Sequence, residues 1–110
     1  MSKKSTKSIF QQGDVLLQPI EKIPENAIKV NPDSRGLVLA EGEFTGHTHV
    51  ADPITSSMFR ADKDIYLVVA KPTVISHQEH GALTVPKGKF KVGRVVEADP
   101  FEKSIRTITD

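Results

Sequence analysis

The feature that most constrains the fold of this chain is the frequent interruption of short apolar runs by turn-forming residues. Seven prolines and seven glycines fall mainly between runs such as Val15–Leu17 and Ile65–Val69. Proline lacks an amide donor and glycine permits turn conformations, so both mark the ends of strands. No segment repeats its apolar residues at helical spacing over three turns. The pattern predicts an all-β fold, a single small barrel or jelly-roll sandwich of eight or nine short strands.

The length of the chain predicts one domain. A chain of 110 residues can bury a single core but not two, and no internal repeat or change in composition divides it. We therefore expect residues 10–110 to form one β-domain. Lys3, Lys4 and Lys7 make the beginning basic, and we expect residues 1–9 to form a flexible arm that is either solvated or in contact with an acidic partner.

Composition excludes several classes of function. The chain has no cysteine, which removes disulfides, thiolate nucleophiles and thiolate metal sites. No apolar run approaches the roughly 20 residues that cross a bilayer, and no apolar segment follows the charged N-terminus. We therefore expect no membrane partner and a cytoplasmic location, or a virion if a phage encodes the chain. With five Phe, one Tyr and no Trp, we do not expect nucleic acid as a partner.

All four histidines occur in two pairs, His47 with His49 and His77 with His80. Residues two apart in a strand point to the same face, so the first pair projects together. The second pair can converge with it if the strand ends after His77 and a turn at Gly81 bends His80 back. Neutral imidazole is a common metal ligand, and the four residues together predict a site for a divalent transition metal, namely zinc, iron, nickel or manganese. Structural or surface histidines are the alternative.

Two glutamates and two glycines lie beside these pairs. Glu43 is the candidate catalytic acid or base, and both Glu43 and Glu79 can also be ligands or orient an imidazole. We expect Glu79 to point away from His80. Gly42 and Gly46 predict either a β-bulge or tight bend that re-aims the first histidine pair, or an ordinary loop.

The segment Gly42–His49 resembles the first metal motif of cupins, a glycine followed by an H-x-H strand, and Gly81–Gly88 resembles the start of their second motif. The resemblance implies a small jelly-roll barrel that holds a metal on three histidines and a glutamate. The chain departs from the pattern: both glycine spacings are one residue short, Asp52-Pro53 stands where the glutamate is expected, and Lys91 replaces the second motif's histidine. In a cupin-like site, His77 or His80 would have to replace that ligand.

The chain is also similar to small uncharacterised proteins of bacterial and phage genomes. The similarity lies in the opening Gln12–Leu17, the Gly46-His47 turn and the Glu79-His80 step. It favours a common fold and implies no activity.

Two functions remain open from the sequence. The first is a metal-binding cupin-like domain, with metal-dependent activity on a small molecule if it is an enzyme. The second is a non-enzymatic structural or interaction protein, a homo-oligomer or phage-particle component that associates through β edges and the basic arm. Either way we expect a homo-oligomer or a larger protein assembly.

Overall fold

The computed structural model describes residues 8–42, 46–96 and 106–107, and within these residues the chain forms eleven β-strands and no helix. The all-β prediction is confirmed, with more strands than the eight or nine expected. No described helix could therefore cross a membrane. The strands are β1 (Phe10–Gln12), β2 (Val15–Ile20), β3 (Ile28–Val30), β4 (Leu37–Glu41), β5 (Thr48–Ala51), β6 (Ser56–Ala61), β7 (Asp64–Val69), β8 (Thr73–Ser76), β9 (Leu83–Val85), β10 (Gly88–Val96) and β11 (Arg106–Thr107).

The strands form two antiparallel sheets. The large sheet has the order β1-β2-β10-β7-β6-β3, with β11 paired to the end of β10, and the small sheet has the order β4-β5-β8-β9. The described strands form two separate sheets and do not close into one barrel. The described residues therefore form a small β-sandwich.

The core lies between the two sheets because both contribute apolar side chains to one cluster. Leu17, Leu67 and Phe90 come from the large sheet, and Leu37 and Ile75 come from the small sheet. All five are at most 4% exposed. Burying a side chain of this size contributes about 1.5–3 kcal/mol, so this shared layer holds the sheets face to face.

Strand β2 continues through Pro19, a residue that the sequence pattern treats as a strand end. β1 pairs with β2 only as far as Leu17, whereas β10 pairs with β2 up to Ile20. Beyond Leu17, β2 is therefore hydrogen-bonded to β10 only among the described strands, and its other edge is unpaired. A strand with one unpaired edge tolerates proline, which has no amide hydrogen to donate.

An irregularity in the small sheet lies beside the first histidine pair. Val38 pairs with Val50, but Ala40 pairs with His49, so β4 carries one extra residue at this point. Such a bulge bends its strand and increases the local twist. Beyond β4, the Gly46 amide donates a hydrogen bond to the Gly42 carbonyl (3.1 Å), and the Gly42 amide donates one to the His47 carbonyl (2.9 Å). The bulge therefore lies in β4, before Gly42, and residues 43–45 between the two glycines lie outside the described residues.

Candidate functional site

The four histidine rings lie close together around His77, the arrangement that the sequence allowed if the second pair bends back. The ring centroid of His77 lies 4.3 Å from that of His49, 4.6 Å from that of His80 and 5.5 Å from that of His47. The rings of His49 and His80 are 6.2 Å apart. Together with Asp14, Gly42, Glu79 and Arg94 they line an open cavity of about 220 Å³, which we call the histidine cavity.

The two pairs reach the cavity in different ways. His49 lies within β5 and is buried, with 4% of its surface exposed, and His47 immediately precedes that strand. His77 and His80 follow the end of β8 at Ser76 and lie in a loop. Strand geometry therefore places the first pair, and loop contacts must place the second.

The His77 side chain itself closes the loop. Its Nδ1 accepts hydrogen bonds from the amides of Glu79 (3.0 Å) and His80 (3.1 Å). A Cβ added to Gly81 would meet no described atom within 4 Å, and Gly81 does not have a positive φ. The turn that we predicted at Gly81 is therefore formed earlier, by an imidazole that satisfies two backbone amides.

Gln78 fastens this loop to the strand that carries the other pair. Its Oε1 accepts a hydrogen bond from the Thr48 amide (2.9 Å), and its Nε2 lies 3.4 Å from the Thr48 hydroxyl. Thr48 stands between His47 and His49. The contact therefore joins the centres of the two histidine pairs.

Gln12 determines which nitrogen of His49 carries a proton. Its Nε2 donates to the carbonyls of Ile75 (2.9 Å) and Gly81 (2.8 Å), so its amide nitrogen faces the backbone. Its Oε1 then faces His49 Nδ1 at 2.9 Å and can only accept. His49 therefore has its proton on Nδ1, and in the neutral ring the lone pair is on Nε2.

Asp14 presents one carboxylate oxygen to that lone-pair nitrogen. Arg94 donates from Nε (3.2 Å) and Nη2 (2.8 Å) to Oδ2 of Asp14. The other oxygen, Oδ1, lies 3.6 Å from His49 Nε2. Burial opposes ionisation of Asp14, but the hydrogen bond and charge of Arg94 outweigh it and lower the pKa of Asp14 below its usual value. Asp14 is therefore a carboxylate at neutral pH.

The surroundings also keep two of the imidazoles neutral. Burial lowers the pKa of His49, a positive charge on the neighbouring His77 would lower it further, and the carboxylate of Asp14 offsets only part of this effect. Burial is likewise the largest cause of the lowered pKa of His77, followed by the charges on His80 and His47. A neutral imidazole has a free lone pair, which metal binding requires.

Gly13 permits the close approach of two rings. Its φ is +60°, and a Cβ at this position would lie 2.6 Å from His80 Nε2 and 3.3 Å from His49 Cε1. Any other residue would displace a ring and strain the backbone. The Gly13-Asp14 turn between β1 and β2 thus lies against both rings and places Asp14 next to His49.

Sequence reasoning missed four contributors to this cavity: Gln12, Asp14, Gln78 and Arg94. Asp14 and Arg94 are 80 positions apart and meet because Arg94 pairs with Val15 in the large sheet. Nothing in the sequence marks such a pair. A signal did exist for Gln12, a polar residue before a Gly-Asp turn.

Of the two glutamates predicted beside the histidine pairs, the structure describes only Glu79. Glu79 lines the cavity, with its Oε1 3.7 Å from His47 Nδ1. Glu43, the predicted catalytic residue, lies outside the described residues, as do the lysines of the predicted N-terminal arm. Among the residues that the structure does describe, no three His, Asp or Glu side chains are already arranged as a group that could hold a metal.

A family described as a domain of unknown function, DUF8820, matches residues 11–95 of the chain. The match covers most of the sequence, and the chain belongs to this family. It spans every residue of the histidine cavity, from Asp14 to Arg94. No curated protein and no solved structure matches the chain significantly.

Proposed function

For this member of the DUF8820 family, we propose that the histidine cavity binds a divalent transition-metal ion through His49, His80 and Asp14. The observation that carries the proposal is the paired orientation of two ligand atoms. The lone pair of His49 Nε2 lies 3.6 Å from Asp14 Oδ1, and a separate hydrogen bond orients each group. Two imidazoles and a carboxylate suit zinc, iron or manganese and leave further coordination positions open.

The partners of these groups support the assignment. Imidazole ligands commonly donate their second ring N–H to a carbonyl or carboxylate oxygen, which sets their tautomer and orientation. Gln12 accepts this hydrogen bond from His49, and Arg94 orients the carboxylate of Asp14. Both partners act on the side of the group that faces away from the proposed ion.

His77 is suited to a different role. Its Nδ1 accepts two amide hydrogen bonds, so the proton of the neutral ring is on Nε2. To bind a metal through Nε2, the ring would have to lose both of those hydrogen bonds. We therefore assign His77 as a hydrogen-bond donor in the cavity, in place of the ligand role predicted from the sequence, and keep His47 as a candidate fourth ligand.

Binding requires an adjustment of side chains, because no three His, Asp or Glu side chains of the described residues already form a group that could hold a metal. Ligand atoms on one tetrahedral zinc ion lie roughly 3.3 Å apart, close to the 3.6 Å between His49 Nε2 and Asp14 Oδ1. His49 is buried, whereas His80 is exposed and lies in a loop. We therefore expect His80 to rotate toward the ion while His49 stays in place.

The test is metal binding by chain purified without a histidine tag. We expect one Zn²⁺ or Co²⁺ per chain by elemental analysis and calorimetric titration. His49→Asn keeps an amide that can bond to Gln12 but removes Nε2, and we expect it to weaken binding by about 100-fold or more because a direct ligand matters more than its orienting partner.

The matched control is the same substitution at His77. His77→Asn keeps an acceptor near Nδ1 for the two amides and removes Nε2, so we expect nearly unchanged metal affinity. The reverse result, in which His77→Asn abolishes binding and His49→Asn does not, would overturn the ligand assignment. Absence of binding by the unmodified chain would reject the metal proposal itself.

A second candidate function, assembly through a sheet edge, is favoured by one observation. β3 is the last strand of the large sheet, and its Ile28 is 72% exposed. Unpaired edge strands with apolar side chains are templates for pairing with another chain. Light scattering tests this candidate: an oligomer that Ile28→Lys converts to monomer supports it, and a monomeric unmodified chain excludes it.

A further inference from the structure

The histidine cavity contains more polar groups than the proposed ion requires. His77 and Arg94 line it with the three proposed ligands but are assigned no bond to the metal. Both are hydrogen-bond donors in this setting. The cavity therefore offers hydrogen-bond donors to a second occupant that accepts hydrogen bonds.

His77 is a donor because its own loop uses its acceptor. With Nδ1 bonded to the amides of Glu79 and His80, the neutral ring can only donate, through Nε2. The two amides also hold the ring in position. A donor held in this way favours a ligand with a lone pair or a negative charge.

Arg94 adds a second donor with a fixed charge. Its bonds to Asp14 come from Nε and Nη2, and the described residues provide no hydrogen-bond acceptor for its Nη1. The side chain is 40% exposed and lines the cavity. Guanidinium groups recognise carboxylates and other oxyanions through several donors in one plane.

Charge and volume narrow the class of occupant. The fixed charges around the cavity are those of Asp14, Glu79 and Arg94, two negative and one positive, and a divalent cation would change their sum from −1 to +1. One negative charge on the occupant then neutralises the cavity. Its volume of about 220 Å³ is below the roughly 300–1,000 Å³ of sites for drug-sized ligands, so the occupant must be small.

We propose that the metal-loaded cavity binds a small monocarboxylate, with its carboxylate on the open coordination positions and accepting a hydrogen bond from Nε2–H of His77. Arg94 lies at the same cavity and supplies the balancing charge. This inference rests on the metal site proposed above. It identifies the ligand class of that site and gives His77 a role in selecting it.

The experiment is a titration of the Co²⁺-loaded chain, followed by the visible absorption of the ion. Acetate is the probe, acetamide is its neutral counterpart of similar shape, and inorganic phosphate tests a second class of oxyanion. We expect acetate to change the spectrum in a saturable manner and to bind more tightly than acetamide and phosphate. Hydrogen bonds to charged groups contribute enough that His77→Asn should weaken acetate binding by about 10- to 100-fold, with Co²⁺ affinity unchanged.

Each result decides between the proposals. Co²⁺ binding with no preference for acetate over acetamide overturns the carboxylate proposal and leaves the metal site intact. Tighter binding of phosphate than of acetate also overturns it. An unchanged acetate affinity in His77→Asn removes the role of His77. If the unmodified chain binds no Co²⁺, both proposals fail. The comparison of acetate with acetamide needs no variant and decides the question even if His77→Asn does not fold.

Discussion

The two histidine pairs reach one cavity from different kinds of structure. His47 and His49 are placed by β5, whose position is set by backbone ladders on both sides. His77 and His80 lie in a loop whose form depends on side chains: the Nδ1 of His77 and the amides of Gln78 and Gln12. The comparison shows that half of this site is held by the sheet and half by a few polar contacts. Changes in those contacts should therefore affect the loop pair first.

The largest effect should come from Gln12→Leu, because one Gln12 side chain makes buried hydrogen bonds to the strand pair and to the backbone beside the loop pair. The change leaves His49 Nδ1 and the carbonyls of Ile75 and Gly81 without their partner. The hydrogen bonds to His49 and to the Ile75 carbonyl are buried, and each group left unsatisfied there costs about 1–3 kcal/mol, so we expect a loss of roughly 2–6 kcal/mol in the free energy of unfolding. Urea denaturation measures it. Gln11→Leu, next to it but exposed, is the control, and an equal loss in both variants would contradict the bridging role.

Gly13→Ala should have the next largest effect and should separate the two pairs. The φ of +60° and the 2.6 Å approach of His80 Nε2 mean that the new methyl group must displace the His80 ring. We expect about 1–3 kcal/mol of destabilisation from the backbone conformation and the displacement. The histidine NMR signals report which rings move. Larger shifts for His49 than for His80 would show that the strand pair is the less firmly held one.

Gln78→Leu should loosen the loop pair with little effect on the core. It removes the acceptor for the Thr48 amide, a part-buried hydrogen bond worth about 1 kcal/mol. We expect faster hydrogen exchange at Thr48 and unchanged exchange in β7. The control is Gln18→Leu, the same substitution at an exposed position of β2, which should leave exchange at Thr48 unchanged. Protection of the Thr48 amide equal to that in the unmodified chain would show that Gln78 does not hold the loop.

The smallest effect should be the pH dependence of stability. Burial lowers the pKa of His49 and of His77 in the folded chain below the ordinary value of 6.5. As pH falls below about 6.5, the unfolded chain therefore takes up protons before the folded chain, and the free energy of unfolding decreases. Above this pH the contribution is fully present. Urea denaturation from about pH 7 to about pH 5 measures the slope.

The variant His49→Asn tests the origin of that slope. It removes one of the two depressed groups, so its unfolding free energy should change less with pH than that of the unmodified chain. A slope that is identical in both chains would assign the pH dependence to other groups. Asp14, whose pKa is also lowered, contributes a further loss only at more acidic pH.

Much of the fold and part of the site were predictable from the sequence because they depend on local periodicity. Alternating apolar residues in segments such as Phe90–Val92 predict strands, and the spacing of His47 and His49 predicts a shared direction. The loop was harder to predict. The turn was expected at Gly81, yet His77 forms it, because an imidazole that accepts amide hydrogen bonds can stabilise a turn without glycine.

The extent of β2 was also not predictable from its own sequence. Pro19 indicates a strand end by its chemistry, but its cost depends on whether a neighbouring strand needs its amide. The register of β1 leaves that part of β2 paired with β10 alone. The outcome was therefore set by strand pairing, which the sequence of one segment does not contain.

By itself the sequence determined the class of fold, the absence of thiol chemistry and the presence of two histidine pairs, since composition and near-neighbour spacing are sufficient for these. Tertiary structure alone decided that the pairs meet, that Gln12 sets the tautomer of His49, and that Asp14 and Arg94 join them. The Gln12–His49 and Asp14–Arg94 hydrogen bonds link residues 37 and 80 positions apart. The physical reason is that their formation depends on sheet order and register, which arise only when the whole chain packs around its shared core.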